Sequence, residues 1–269
     1  MSDRLRDIGL ALLGLALLNS AAKVWSEQAL EKSLREQMRG GRIHVRVESS
    51  GLYGMLVGRA ALARVTGTGV RIEELPFLVR AGGGMRSEVR SVRLDLRDVT
   101  FRGLDIRRMS VDLPDVSLDV DNLLFHDRLV LRRAGGGRVS FGVAPESIAA
   151  FARRRYPALQ DVEVRLSDGE VRLAAALPLF GTVRRISAQG GLQLDEGGRV
   201  VLKDPDVRLD GRPTEPGLRS ALLSALGPLL DVERDLGLRD VLRLDRVEVR
   251  AAELLLSGQV TIAPRAGPA

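Results

Sequence analysis

Aliphatic and charged residues alternate along most of the chain, as in Val92-Arg93-Leu94-Asp95-Leu96-Arg97. The pattern recurs at Val111 to Val120, Val162 to Leu166, Val171 to Leu173, Leu192 to Leu194, Val207 to Leu209 and Leu242 to Val249. Successive strand residues point to opposite faces. The period therefore predicts half-buried antiparallel strands with one aliphatic face and one Arg/Asp face. Apolar parity slips at Arg107-Arg108 and again at Pro114-Asp115. A slip turns the apolar set outward unless a bulge restores it, which predicts bulges in a strongly curved sheet.

Two hairpins follow with their register. An Asp168-Gly169 turn sets Ser167 opposite Glu170, Leu166 opposite Val171, Val164 opposite Leu173 and Val162 opposite Ala175. A Glu196-Gly197-Gly198 loop sets Asp195 opposite Arg199, Leu194 opposite Val200 and Leu192 opposite Leu202, so an ion pair closes the turn. Two internal helices interrupt the strands. One begins at Pro145, carries Ile148, Phe151 and Ala152, and ends in Arg153-Arg154-Arg155 before Pro157. The other begins near Thr214 as N-cap and stops at Gly227-Pro228. Its stripe runs through Leu218, Ala221, Leu222, Ala225 and Leu226, with Leu229 continuing it.

The N-terminus carries an uninterrupted apolar run, Ile8 to Leu18, behind Arg4 and Arg6 and ahead of Ser20-Ala21-Ala22. Two readings stand side by side. The run is a secretory signal or membrane anchor, with Ile8, Leu10, Leu12, Leu15, Leu18 and Trp25 as membrane contacts. Alternatively Leu5 to Met38 is one long helix belonging to the fold, amphipathic where Leu30, Leu34 and Met38 recur. The remainder is read as a single domain over residues 39–263 with a disordered tail at 264–269.

Composition narrows the function. Hydrophobic residues are 45% of the chain but aromatic ones only 3%, so the aliphatic surface suits alkyl chains and offers little for stacking bases. The formal charge of +6 comes almost wholly from Arg, intermixed with Asp residue by residue. No one-sided basic face results, and no nucleic-acid partner is expected. The chain has no Cys, which excludes disulfides and thiolate chemistry. His44 and His126 have no second His or Cys at ligand spacing, so no metal or other cofactor is expected. No Gly-x-Ser-x-Gly elbow supplies a nucleophile, and the glycine clusters at 82–84, 135–137, 190–191 and 197–198 lack the Gly-Lys-Ser/Thr ending of a phosphate loop and read as turns. The Asp residues read as polar-face partners of Arg, and no enzyme is expected.

The order of pieces resembles the LmeA-like phospholipid-binding proteins, a bacterial family related to the tubular lipid-binding (TULIP) superfamily. The resemblance rests on Gly51-Leu52-Tyr53-Gly54-Met55-Leu56-Val57-Gly58 and on Gly190-Gly191-Leu192-Gln193-Leu194-Asp195-Glu196-Gly197-Gly198 with Val207-Arg208-Leu209. It continues through Leu218 to Leu230, then Leu242-Arg243-Leu244-Asp245-Arg246-Val247-Glu248-Val249 and Leu254-Leu255-Leu256-Ser257-Gly258. It implies an α+β fold in which a curved antiparallel sheet wraps a long helix and shelters acyl chains in a groove. No catalytic residues come with it.

Together the pattern and the resemblance lead to a noncatalytic carrier of phospholipid or another acyl lipid, in the cell envelope and at a membrane surface. By parity, the groove candidates are Val162, Val164, Leu166, Val171, Leu173, Leu218, Leu222, Leu226, Leu229, Leu244, Val247 and Val249. The headgroup candidates are Arg153, Arg154 and Arg155. The rival reading is an AsmA-like structural protein of the envelope, whose Asp-Val-x-Leu strands look similar to Asp115-Val116-Ser117-Leu118, with its sheet packed shut. A lipid hydrolase is a third, for which no nucleophile and base are found.

Overall fold

The computed structural model describes residues 27–36, 38–49, 59–73, 78–79, 86–119, 121–122, 126, 130–179, 181–238 and 241–262. They form an α+β fold dominated by strand. Contacts divide them into two compact units. The first holds the described residues up to Leu96 with Val111–Gly137 and Ile262; the second holds Arg97–Ser110 and Arg138–Thr261.

The first unit contains helical residues 27–36 (α1). Its strands are β1 (Arg42–Ser49), β2 (Arg59–Thr68), β3 (Arg71–Ile72), β4 (Leu78–Val79), part of β5 (Arg86–Phe101), part of β6 (Leu104–Asp119) and β7 (Val130–Arg133). They run in the order β1-β2-β5-β6, with β7 on β6, β4 on β7 and β3 on β5. Ile43, Val45 and Val47 of β1 are buried while their neighbours are exposed, as the alternation requires. β1 is an edge strand, and its outward amides are not left bare. Val45 N–H donates to Glu31 (2.9 Å) and Val47 N–H to Glu27 (2.8 Å), both carried one turn apart on α1. Carboxylates along the edge satisfy its donors and block pairing with another strand.

The second unit contains β8 (Gly137–Val143), α2 (Pro145–Arg155), β9 (Gln160–Ser167), β10 (Glu170–Leu179), β11 (Thr182–Leu194), β12 (Val200–Leu209), β13 (Arg212–Pro213), α3 (Pro216–Leu226), α4 (Val232–Leu236), β14 (Leu242–Arg250) and β15 (Glu253–Val260). One sheet continues β6-β8-β15-β14, and a separate five-stranded sheet runs β13-β12-β11-β10-β9. Both hairpins have the register expected from the sequence near their turns: Ser167–Glu170, Leu166–Val171 and Val164–Leu173 in one, Leu194–Val200 and Leu192–Leu202 in the other. Arg199 Nε lies 2.7 Å from Asp195, closing the second turn. In the first hairpin the register shifts between Ala174 and Ala176, so the Val162–Ala175 pair does not simply continue the ladder. Its turn has positive φ at Gly169 only (82°). It is instead held from outside: Gly169 N–H donates to Val249 (3.0 Å), and the Asp168 carboxylate accepts from Ala251 N–H (3.1 Å).

The parity slip at Pro114-Asp115 falls on a residue with left-handed backbone, and three other aspartates share that conformation. Asp98, Asp115, Asp161 and Asp204 all take positive φ, between 46° and 50°. The first two and the last lie inside strands and Asp161 lies near the start of β9. Aspartate tolerates the left-handed region better than most residues, and one residue there lets a strand bulge and recover its face. Val99, Val116 and Val162, each directly after such an Asp, are buried. The sheet is not strongly curled, which corrects the expectation of a strongly curved sheet wrapped around a helix. The expected long N-terminal helix is not shown: the described helical residues there are 27–36, α1. Ile8, Leu10, Leu12, Leu15, Leu18 and Trp25 lie outside the described residues, as does the tail at 264–269. Among the described residues no helix is long and apolar enough to cross a membrane.

Three further expectations are corrected. Gly190-Gly191 is no turn but lies within β11, where a Cβ on Gly190 would come 2.6 Å from the Lys203 carbonyl. Thr214 does not cap α3. The N-cap is Glu215, without a side-chain hydrogen bond, and the Thr214 hydroxyl donates to the Val207 carbonyl (2.9 Å). Asp119 is not a surface partner of Arg but forms a buried pair with Arg132 at 2.8 Å. Burial there pushes its carboxyl up, yet hydrogen bonds from Asn122 and the Arg132 guanidinium outweigh it and hold Asp119 below the ordinary carboxylate value.

Candidate functional site

The inner face of the five-stranded sheet is unusually thin in side chains. Across it run the rows Val164–Leu173–Ala188–Val207 and Ala175–Ile186–Leu209. Alanine stands at 175 and 188 on this face, where a β-strand would ordinarily carry a branched side chain. α2 packs on β9 with Ile148, Ala149 and Phe151 buried. Between α2, the sheet and the end of α3, the missing volume remains as a cavity of about 290 Å³. That is near the lower bound of ligand pockets, ~300 Å³.

Its walls are Ile148, Phe151 and Ala152 from α2, Leu159 and Val162 leading into β9, and Leu173, Ala175, Ile186, Ala188, Val201 and Leu202 from the sheet. Leu223, Gly227, Pro228 and Leu229 close the side at α3. Gly227, at φ 60°, ends the helix and turns the chain so that Leu229 N–H donates to the Val200 carbonyl (2.8 Å). The only lining side chains with polar atoms are Arg155 and Tyr156. The Arg155 guanidinium pairs with Asp235 of α4, both side chains nearly buried, and sits 5.3 Å from the Tyr156 ring centroid. Asp235 also accepts the Asp231 N–H (2.7 Å). One end of an aliphatic chamber thus carries a neutralised, hydrogen-bonded guanidinium, which keeps donors in reach without adding a bare charge.

Of the groove residues expected from the sequence, Val162, Leu173 and Leu229 line this cavity. Leu222 is 6% exposed and packs in a core cluster with Ile186, Ala188 and Val207, beside the cavity and not on its wall. Leu218 is exposed, and the side chain of Leu226 lies outside what the structure describes. Val164, Leu166, Val171, Leu244, Val247 and Val249 are on apolar faces but are not among the lining residues. The three arginines are all engaged: Arg153 donates to the Val162 carbonyl (3.2 Å), Arg154 to the Gly103 carbonyl, and Arg155 to Asp235. Only Arg155 reaches the cavity. Sequence reading missed the α2 wall, the alanines and Asp235. The available signal was small residues at inward strand positions opposite an apolar helix stripe.

Among the described residues no group of His, Asp and Glu is placed to hold a metal. His44 is exposed, with Nδ1 2.9 Å from Glu31 and Nε2 accepting from Arg46 at 3.4 Å. His126 is exposed.

The fold and cavity define a class: a strand-dominated α+β protein with an aliphatic chamber under a helix. The sequence model of the LmeA-like phospholipid-binding family matches residues 59–259, and the chain belongs to that family. The family is a lipid-binding domain not known to be catalytic. No curated protein and no solved structure matches the chain.

Proposed function

We propose that the protein binds and carries phospholipid without chemically altering it, holding acyl chain in the cavity bounded by α2, β9–β12 and Leu229. The observation that carries this is the cavity itself. An aliphatic sheet face evolved only for packing would be filled by its own side chains, and here alanines leave about 290 Å³ open. A methylene occupies about as much space as a water, ~30 Å³, so the chamber takes roughly ten methylenes of one chain. Each contributes about 0.8 kcal/mol on leaving water. Aliphatic walls give no directional contact, so discrimination among acyl chains is poor. Arg155, with Tyr156, supplies the polar end, facing the ester or phosphate region of the lipid. Arg153 and Arg154 serve the helix end instead.

The same proposal places the protein in the bacterial cell envelope at a membrane surface, where the N-terminal apolar run delivers or anchors it. A self-packed structural protein would leave no such chamber. Lipid extraction and mass spectrometry of protein purified from its native membrane test the proposal. The expected result is co-purified phospholipid in near-stoichiometric amount. Lipid-free protein that also fails to take up labelled phospholipid would overturn it.

A further inference from the structure

The opposite face of the same five-stranded sheet carries a second site. There β9, β10 and β11 present Glu163, Arg165, Arg172, Ala174, Arg185 and Ser187, and with Gly211 these line a shallow basin of about 250 Å³. Three guanidinium groups face one carboxylate. Glu163 is shared, 3.7 Å from Arg165 and 3.6 Å from Arg185. The neighbouring Asp210 is committed elsewhere, to Arg184 (2.8 Å) and to the Arg185 N–H (2.9 Å). Arg172 stands directly opposite Arg165 in the ladder, and its side chain makes no ion pair or hydrogen bond among the described residues. Like charges directly opposite one another destabilise a sheet. The floor between them is small: Ala174 and Gly211, with the half-buried Ser187 offering a hydroxyl.

We infer that this basin binds a phosphate group, Arg165, Arg172 and Arg185 converging on its oxygens and Ser187 donating from the floor. The guanidinium fork matches a phosphate in geometry and charge, and an anion between Arg165 and Arg172 turns their repulsion into a shared attraction. The small floor leaves room for the anion to sit among the strands' side chains. A soluble phosphate ester and a lipid headgroup share this chemistry. The site stands independently of the acyl cavity, since it needs no hydrocarbon.

The test titrates the full-length protein with inorganic phosphate, then with glycerol phosphate, following the Ser187 amide and Arg172 side-chain resonances by NMR. In parallel, flotation is measured with phosphatidylcholine vesicles doped with phosphatidylglycerol. Arg172→Gln is compared with Arg172→Lys and with Arg243→Gln, an exposed arginine on β14 outside the basin. The expected result is saturable shifts that weaken about tenfold in Arg172→Gln, the cost of one charge-assisted hydrogen-bond donor. Arg172→Lys is intermediate, Arg243→Gln is unchanged, and binding weakens with added salt. Flotation that falls in Arg172→Gln assigns the phosphate to a lipid headgroup. Resonance shifts with flotation unaffected assign it to a soluble ester. No saturable response to any probe, or an Arg172→Gln response equal to that of Arg243→Gln, overturns the inference. Unchanged circular dichroism in Arg172→Gln keeps a folding defect from imitating either result.

Discussion

Each unit encloses an apolar space, and the two differ in kind. In the first, Leu34, Val45, Ala63, Val65 and Leu131 are among the residues surrounding about 60 Å³, and every lining side chain is apolar. In the second, about 290 Å³ is bounded by a helix and an alanine-rich sheet, with a guanidinium and a phenol at the edge. The small space is of the size that imperfect packing leaves under a helix. The large one has the volume of a ligand and a polar group to orient it. Apolar character is common to both spaces; the proposed binding site is distinguished by missing side-chain volume next to a fixed polar group.

Breaking the charge at the edge of the large cavity has the greatest expected effect. Arg155→Ala strands Asp235, whose side chain is 6% exposed, and costs about 3–5 kcal/mol by urea unfolding. Filling the two spaces separates them next. Ala63→Trp overpacks the small space and destabilises by about 3 kcal/mol. Ala175→Trp enters a space that already has room, changes stability by less than about 1 kcal/mol, and reduces labelled-phospholipid binding at least tenfold. Equal destabilisation by both would mean that the large cavity is also only loose packing. Leu222→Ala, in the core beside the cavity, costs about 2–3 kcal/mol and leaves the phospholipid dissociation constant within about threefold.

The smallest effect is on pH dependence. Asp119 in the first unit and Asp195 in the second both have depressed pKa values. In Asp119, hydrogen bonds from Asn122 and Arg132 overcome the upward push of burial; in Asp195 the Arg199 hydrogen bond dominates. A carboxylate held low in the folded state contributes stability fully above its unfolded pKa of about 3.9. That contribution is lost as pH falls below about 4 through the folded value. Urea midpoints at pH 7 and pH 3 are expected to drop less in Asp119→Asn and Asp195→Asn than in the parent. The Asp195 difference is the smaller and within about 1 kcal/mol, because Arg199 is half-exposed and water screens the pair.

Strand faces, both hairpin registers near their turns and α2 from Pro145 to Arg155 were legible in the sequence, because each depends on local period and turn chemistry. Of the two parity slips, the one at Pro114-Asp115 coincides with a left-handed aspartate, and its mechanism was not legible. Nothing in a run such as Asp115-Val116 announces that the Asp sits at φ 50°. Gly190-Gly191 misled for the converse reason: a backbone packed 2.6 Å from where a Cβ would be demands glycine as firmly as a turn does. The cavity was half legible. Val162, Leu173 and Leu229 follow from parity, whereas Ala175, Ala188 and the α2 wall become a site only when elements distant in sequence enclose them. The outward Leu218 shows the limit of a helical stripe, since periodicity finds a face without saying how far along it the neighbour extends.

The central claim is that acyl chain occupies the second unit's cavity. A phospholipid bearing a photoreactive group near the end of one acyl chain, crosslinked to the protein and mapped by peptide mass spectrometry, tests it directly. The predicted crosslinks fall on Ile148 to Leu159, Leu173 to Ala188 and Leu223 to Leu229, and disappear in Ala175→Trp. Crosslinks confined to residues around Leu34, Val45 and Leu131, or label unchanged in Ala175→Trp, would contradict it.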